Sequence, residues 1–572
     1  MYLFKLTHGY WRYTGLGDMK DLVKAVASGS IGFFVLLRLV AGVRAFPYSI
    51  YIVESLLSFL MLASLRVQAR MILQSREARR VGARTRVLIV GAGSGAALLL
   101  NALKRKNYYA VGIVDDDPHK QKTKLAGVAV VGVVKDLPSL AERYRASEIL
   151  IAVPSATGAQ MLQITDFCGR SGLPFRAVPS LPDLIDGKVT ISEFREVKLD
   201  DLLGRKPVVL DSSTVTTRLR GRVVMVTGAA GSIGSELCMH ILRCMPKKLI
   251  CVDQAETPLF NLQQQVMADA SIEIVYSVAD ITDTERMRRQ FVEHDVRVVF
   301  HAAAYKHVPM TEANPYEGLK NNVFGLMDLL QTAELCGCED FVLISSDKAV
   351  KPSSLMGCTK RLGEMIVGAR RTPRTRCVSV RFGNVLGSQG SVIPVFQEQI
   401  RNGRHITLTH PQMTRYFMTI PEAASLVLQA FTIGEHGDIL VLDMGNPIRI
   451  LDLAKTLLRV SGKLESDVPI IFTGMRPGEK LHEELFYDTE VRLPTSIPKV
   501  IRAQGPLPDW NTLHGTLREL QAAAYSEGPD LVRTRVKRII TEYEWEPTIE
   551  MELLTGVYQQ SHAGPARHSH FA

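Results

Sequence analysis

The sequence predicts an α/β protein: two doubly wound parallel-sheet (Rossmann-like) domains behind an N-terminal transmembrane helical hairpin. Three observations carry this expectation. Two apolar runs near the N-terminus are each long enough to cross a bilayer. Two separate strand-type runs each lead straight into a glycine-rich turn and then a helical pattern. Around both, strands and helices alternate, which argues parallel sheets. With 572 residues, 46% hydrophobic and 22% charged, the chain is too long for one domain and too apolar for disorder.

The hairpin, with its basic flanks, is expected over 1–80. The first run is Ala25–Val43, interrupted by Arg38; the second is Ala45–Leu65, interrupted by Glu54. Either spans a hydrocarbon core of ~30 Å as a helix. Residues 1–86 carry 13 Lys/Arg against 4 Asp/Glu, a net +9 of the chain's +10. A basic excess confined to the most apolar stretch points to a membrane and away from nucleic acid. Lys5, Arg12, Lys20 and Lys24 precede the first run, and Arg66, Arg70, Arg76, Arg79, Arg80, Arg84 and Arg86 follow the second. Both ends therefore face the cytoplasm. Arg38 and Glu54 are costly in lipid and are candidates to pair across the hairpin. The eight cysteines have no metal-binding spacing and read as reduced thiols.

A first Rossmann-like domain is expected over 84–198. Thr85–Val90 is a strand, followed by Gly91-x-Gly93-x-x-Ala96 and a helix, and a second strand ends at Asp115. This matches the dinucleotide fingerprint, although the same glycines also serve a bare tight turn. Residues 199–220 then read as a connector.

A second such domain is expected over 221–555, with a flexible tail over 556–572. Strand Arg222–Thr227 enters Gly228-x-x-Gly231-Ser232-Ile233-Gly234, and strand Lys248–Val252 ends in Asp253. A carboxylate there suits a ribose 2′-hydroxyl and favours NAD over NADP. Later strands end at Asp280-Ile281 and at His301–Ala304. Strand carboxyl ends are where doubly wound sheets bind ligands.

The chemistry concentrates after strand Phe341–Ile344, in Ser345-Ser346-Asp347-Lys348, followed by Met356-Gly-Cys-Thr-Lys360 opening a helix. Residues 221 to about 490 resemble an extended short-chain dehydrogenase/reductase, except that Met356-x-x-x-Lys360 stands where that family has Tyr-x-x-x-Lys. A thioether cannot move a proton. With His301–Met310, Asn321–Gly325, Arg381–Val385, Thr414–Thr419 and Arg476–Lys480, the chain resembles the membrane-bound nucleotide-sugar 4,6-dehydratases of bacterial polysaccharide synthesis. That family usually has four transmembrane helices where two are expected here.

The resemblance implies a hydro-lyase that converts UDP-N-acetylglucosamine to a 4-keto-6-deoxy sugar with one recycled NAD. Hydride leaves C4, water is eliminated across C5 and C6, and hydride returns to C6. By resemblance Lys348 takes the C5 proton, Asp347 protonates the C6 hydroxyl, Ser346 holds the C4 hydroxyl, and Lys360 the nicotinamide ribose. Met356 lines the pocket. For the C4 proton, Ser346, Asp347 and a water stay open. Asp280, Ile281, Ala302, Ala304, Asn322 and Ser345 join the glycine turn and Asp253 as NAD contacts. Lys306, His307, Asn384, Arg415, Arg476 and Glu479 are the UDP-sugar candidates. The same resemblance implies a multi-pass bacterial inner-membrane protein in contact with lipid, a cytoplasmic catalytic domain, no metal, and a homo-oligomer. A UDP-sugar 4-epimerase and a non-catalytic membrane scaffold or nucleotide sensor are the alternatives.

Overall fold

A computed structural model describes residues 16–37, 47–79, 85–103, 107–178, 212–266, 272–370, 374–463 and 465–545. The chain forms two compact units, one of residues 1–155 with 170–196, the other of 156–169 with 197–572.

In the first unit, helices Leu16–Val35 and Tyr48–Arg79 pack together through Phe34 and Tyr51, whose rings meet edge to face at 5.1 Å. Among the described residues one helix is long and apolar enough to cross a membrane, over Tyr48–Leu65, where two such spans were expected. The apolar stretch of the first helix is the shorter Leu22–Val35. Arg38 and the expected turn after it lie outside the described residues. Glu54 accepts hydrogen bonds from Ser30 Oγ and Ser58 Oγ, both at 2.9 Å.

Beyond them, β1 (Thr85–Val90), β2 (Tyr108–Val114), β3 (Lys124–Leu125), β4 (Val128–Gly132), β5 (Glu148–Ile151) and β6 (Phe175–Ala177) form a sheet of order β3-β4-β2-β1-β5-β6. All but β3 run parallel. Asp115, at the end of β2, accepts from Ala92 N at 2.6 Å and Asp117 N at 2.9 Å, and meets Lys120 Nζ at 3.2 Å.

The second unit opens with helix Ser212–Leu219, whose Val215 and Leu219 are buried. The end of the expected connector is therefore part of the core; 201–211 lie outside the described residues, as does the tail. The strands are β7 (Val223–Thr227), β8 (Lys248–Asp253), β9 (Glu273–Val278), β10 (Val298–His301), β11 (Asp340–Ile344) and β12 (Arg376–Arg381). Four short strands follow, β13 (Asn384–Val385), β14 (Ile406–Leu408), β15 (Thr414–Arg415) and β16 (Phe417–Met418). The last are β17 (Ile439–Leu442), β18 (Ile448–Arg449), β19 (Ile470–Phe472), β20 (Val491–Pro494) and β21 (Val500–Gln504).

The nine-stranded sheet has the order β20-β21-β17-β12-β11-β10-β7-β8-β9. From β9 to β17 it is parallel; β21 and β20 close the edge antiparallel. The strands read as unbroken apolar runs because both faces are covered by helices. The strand order reverses between β7 and β10, which fixes the ligand crevice at their carboxyl ends. A separate apolar cluster, with Phe396, Ile406, Phe417 and Leu453, carries the short strands beside that crevice.

Under the crevice lies a fully buried ion network. Arg381, at the end of β12, donates to both oxygens of Glu364 (2.9 and 2.8 Å) and both oxygens of Glu490 (2.8 and 2.9 Å). Glu364 lies one turn beyond Lys360 in helix Leu355–Ala369 and also accepts from Ser345 Oγ at 2.7 Å. Burial opposes the Glu364 charge, yet Arg381 outweighs it and holds the carboxyl below its usual range. Removing Arg381 leaves Glu490 without this counter-charge and Glu364 with only Arg361, at 3.4 Å. Arg381→Ala is expected to cost about 3–5 kcal/mol, read as a lower urea midpoint of the second unit.

Candidate active site

The turn after β7 is built from glycines because the chain has no room there. Gly228 has φ +67, and a Cβ on it would lie 2.6 Å from Ala303 N. A Cβ on Gly234 would lie 2.0 Å from Gly228 O. Gly231 differs: an added Cβ meets only Gly228 O, at 3.2 Å. It caps helix Ser232–Leu242 without a side-chain hydrogen bond, which leaves first-turn amides to a ligand. Asp253 accepts from Ala230 N at 3.0 Å and Ala255 N at 2.9 Å, so the carboxylate fastens the turn while lining a cavity of about 150 Å³ with Ile281, Ala302 and Ala304. Small residues at the turn, open amides and a strand-end carboxylate fit NAD.

The larger cleft, about 870 Å³, brings together Gly228, Gly231, Ser232, Ile233, Gly234, Ala302, Ala304, Ser345, Ser346, Lys348, Met356 and Lys360. Lys306, His307 and Asn384 share its wall. A third cavity of about 170 Å³ joins Lys306, His307 and Lys348 to Arg415, Glu479 and Glu483.

Four expected residues line none of these cavities: Asp347, fully buried behind Ser346 and Lys348, and Asn322, Asp280 and Arg476. Asn322 is buried and spends its amide inside the protein, on Tyr305 N (2.8 Å), Tyr305 O (2.9 Å) and Thr359 Oγ1 (3.0 Å). Its neighbour Asn321 lines the small cavity beside Asp253. Asp280 is exposed and caps Thr282 N. Arg476 is exposed, its main chain turned toward Glu479. Arg415 reaches the third cavity, but its guanidinium donates to the carbonyls of Thr414, Lys480 and Leu481.

The reactive cluster follows from the end of β11. Ser346 starts a short 3₁₀ turn, Asp347–Ala349, and donates to Asp347 Oδ1 at 2.9 Å. Asp347 is fully buried, and its Oδ2 has no hydrogen-bond partner among the described residues. Lys348 Nζ meets Asp347 Oδ1 at 2.9 Å, Asn384 Oδ1 at 3.0 Å and Glu483 Oε1 at 3.5 Å. Burial opposes the Lys348 charge, but Asp347 and Glu483 outweigh it, so the resting ammonium is held above its ordinary range. The two lysines differ sharply: Lys360, donating to Ile344 O at 3.0 Å, is pushed down to about 8 by burial, with Glu364 opposing. Met356 is buried beside it. Gly357 lets the helix approach, since a Cβ there would lie 2.3 Å from Lys348 O.

Sequence reasoning missed Glu364, Arg381, Glu483 and Glu490. Arg381 opened a noted motif without a role, and Glu364 carried the four-residue spacing from Lys360 that sets a helix face. Glu483 follows the Arg476–Lys480 motif by three residues, with nothing local to tell it from Glu484.

The family profile described as "Polysaccharide biosynthesis protein" matches residues 224–505, and that described as "CoA-binding domain" matches 12–179. The probable polysaccharide biosynthesis protein EpsC of Bacillus subtilis (strain 168) is 40% identical over 526 residues, 90% of this chain and 86% of that protein. The capsular polysaccharide biosynthesis protein CapD of Staphylococcus aureus is 38% identical over 515 residues, 88% and 85% respectively. A UDP-glucose 4-epimerase of Rickettsia typhi is 35% identical over 273 residues, 46% of this chain and 77% of that enzyme. Likeness of this extent, over both units, means that the chain belongs to the polysaccharide biosynthesis proteins of the extended short-chain dehydrogenase/reductase type.

Proposed function

We propose that this protein is a membrane-anchored, NAD-dependent UDP-N-acetylglucosamine 4,6-dehydratase, a hydro-lyase supplying a 4-keto-6-deoxy sugar for surface polysaccharide. The apolar helix Tyr48–Leu65, with its partner helix, is read as the anchor. The observation that carries the proposal is the Asp347–Lys348 pair, 2.9 Å apart: Lys348 and the adjoining Ser346 line the cleft that holds the dinucleotide turn, and the Asp347 carboxylate is buried directly behind them. An elimination across C5 and C6 needs one group for the C5 proton and another for the C6 oxygen, and this pair provides both.

Bound NAD supplies the hydride acceptor at C4 and the hydride donor at C6. The chain's residues handle the protons. Ser346 Oγ accepts the proton of the C4 hydroxyl and passes its own to Asp347, along the 2.9 Å hydrogen bond already formed. Protonated Asp347 then gives that proton to the departing C6 hydroxyl, so the C4 proton leaves in the water. Lys348 takes the C5 proton and later returns it to C5. Met356 moves no proton and shapes the pocket. Gly228, Gly231 and Gly234 cradle the pyrophosphate, Asp253 the adenosine ribose and Lys360 the nicotinamide ribose. Lys306, His307, Asn384, Arg415 and Glu479 surround the UDP-sugar.

The second reading, a UDP-sugar 4-epimerase, is favoured by the likeness of the catalytic half to the Rickettsia enzyme. Epimerisation oxidises C4 alone and has no use for the Asp347–Lys348 pair. Incubating the protein with NAD and UDP-N-acetylglucosamine separates the two readings. A product lighter by one water supports the dehydratase; an isomer of unchanged mass defeats it.

Two sets of variants follow. Asp347→Asn and Lys348→Ala should each lower kcat by roughly 10²–10⁴-fold, and Lys348→Ala should stop deuterium from solvent entering C5. Met356→Leu, which conserves volume, should keep most activity in the same assay. Asp253→Ala should narrow the preference for NAD over NADP, read as the ratio of the two kcat/KM values.

A further inference from the structure

Resting on the dehydratase reading, the proton account leaves one difficulty. Lys348 is charged at rest, and an ammonium cannot take a proton from C5. We propose that Glu483 is a positioning residue that stores the Lys348 proton during the elimination.

Glu483 lies in the segment after the Arg476–Lys480 motif, its side chain 3% exposed. Oε1 stands 3.5 Å from Lys348 Nζ and 3.8 Å from Arg415 Nε. Oε2 is buried with no hydrogen-bond partner among the described residues. A buried carboxylate without a full set of partners is costly, and a proton removes its charge, the larger part of that cost. Among the described residues, Asp347 and Glu483 are the carboxylates within ion-pair distance of Lys348 Nζ. Asn384 accepts from Lys348, Lys480 Nζ is turned to Val350 O, and Lys306 Nζ to Gln389 O. His307 packs against Gly390, where a Cβ would lie 2.6 Å from its ring.

The order of events follows from electrostatics. At rest two carboxylates hold the ammonium against burial. When C4 oxidation protonates Asp347, the nearer of them is neutralised and the burial penalty on the Lys348 charge is no longer offset. The proton crosses from Nζ to Glu483, leaving a free amine. Lys348 then takes the C5 proton while Asp347 protonates the C6 oxygen, which departs as water. As hydride reaches C6, Lys348 returns its proton to C5, and Glu483 gives the stored proton back to Lys348. The cluster ends as it began, with an ammonium and two carboxylates, and every proton is accounted for.

Glu483→Gln in the full-length enzyme, with NAD and UDP-N-acetylglucosamine, tests this. Oxidation at C4 should proceed, so the absorbance of reduced cofactor builds up in the first turnover. Deuterium entry into C5 should slow by roughly 10²-fold with KM little changed. Glu483→Asp, which keeps the carboxyl, should recover part of the C5 exchange. A Glu483→Gln enzyme with wild-type C5 exchange, or equal losses in the Gln and Asp variants, overturns the proposal. Competitive acylation of Lys348 across pH is independent of turnover: Glu483→Gln should lower its apparent pKa, and an unchanged value also overturns it. If the wild-type enzyme yields no dehydrated product, the dehydratase reading fails while the acylation result still judges the Lys348–Glu483 coupling.

Discussion

The structure of the catalytic unit turns on one buried arginine. Arg381 is completely buried and forks between Glu364 and Glu490, with one further N–H on the Leu485 carbonyl. A guanidinium without water has to be met on every side by acceptors. Meeting that requirement brings the end of β12, the helix bearing Met356 and Lys360, and the chain around residues 485–490 to one point. Ser345 is fixed to the same network through Glu364. Tyr487, whose main-chain N–H also caps Glu490, sends its hydroxyl to Ala349 O at 2.8 Å. The 3₁₀ turn that presents Asp347 and Lys348 is thereby tied to the same support. Rotamers locked by such a support hold reacting groups in place without cost at the moment of reaction.

A second consequence is electrostatic. With Arg361 3.4 Å from Glu364, two arginines balance two carboxylates below the cleft, so the groups above it answer mainly to one another. Lys348, between two carboxylates, is raised; Lys360, facing only the already committed Glu364, falls to about 8. Two lysines twelve positions apart in the chain thus hold their protons with very different strength, and the difference comes from their neighbours alone.

Much of this was legible in the chain. The glycine turn, Asp253 and the strand ends announced the crevice, because a doubly wound sheet leaves only one place for them. The Ser346-Asp347-Lys348 run could be placed at a strand end, and Lys360 on one helix face with Met356; Ser346, Lys348, Met356 and Lys360 do share the cleft. What stayed hidden depends on contacts between distant segments. Asn322 looked like a ligand residue until its amide was seen to be spent on Tyr305 and Thr359. Arg415 looked like a phosphate fork until main-chain carbonyls took its donors. In each case the residue type named a capacity for hydrogen bonding, and the tertiary fold decided where that capacity went.

The methionine at 356 draws these threads together. With a tyrosine there, a phenol beside Lys360 would be the natural acid and base for C4, and the strand end would be free for other work. A thioether in that place moves no proton. On the proposed dehydratase reading, the burden shifts to Ser346 on the cleft wall and to Asp347 buried behind it at the end of β11. A carboxylate that has just been protonated is the acid a departing hydroxyl needs, so on that reading losing the phenol links the oxidation to the elimination through a single proton. The lysine beside it can act as a base only if its own proton has somewhere to go. A second buried carboxylate 3.5 Å away is what distinguishes this cluster from a simple ion pair at a strand end.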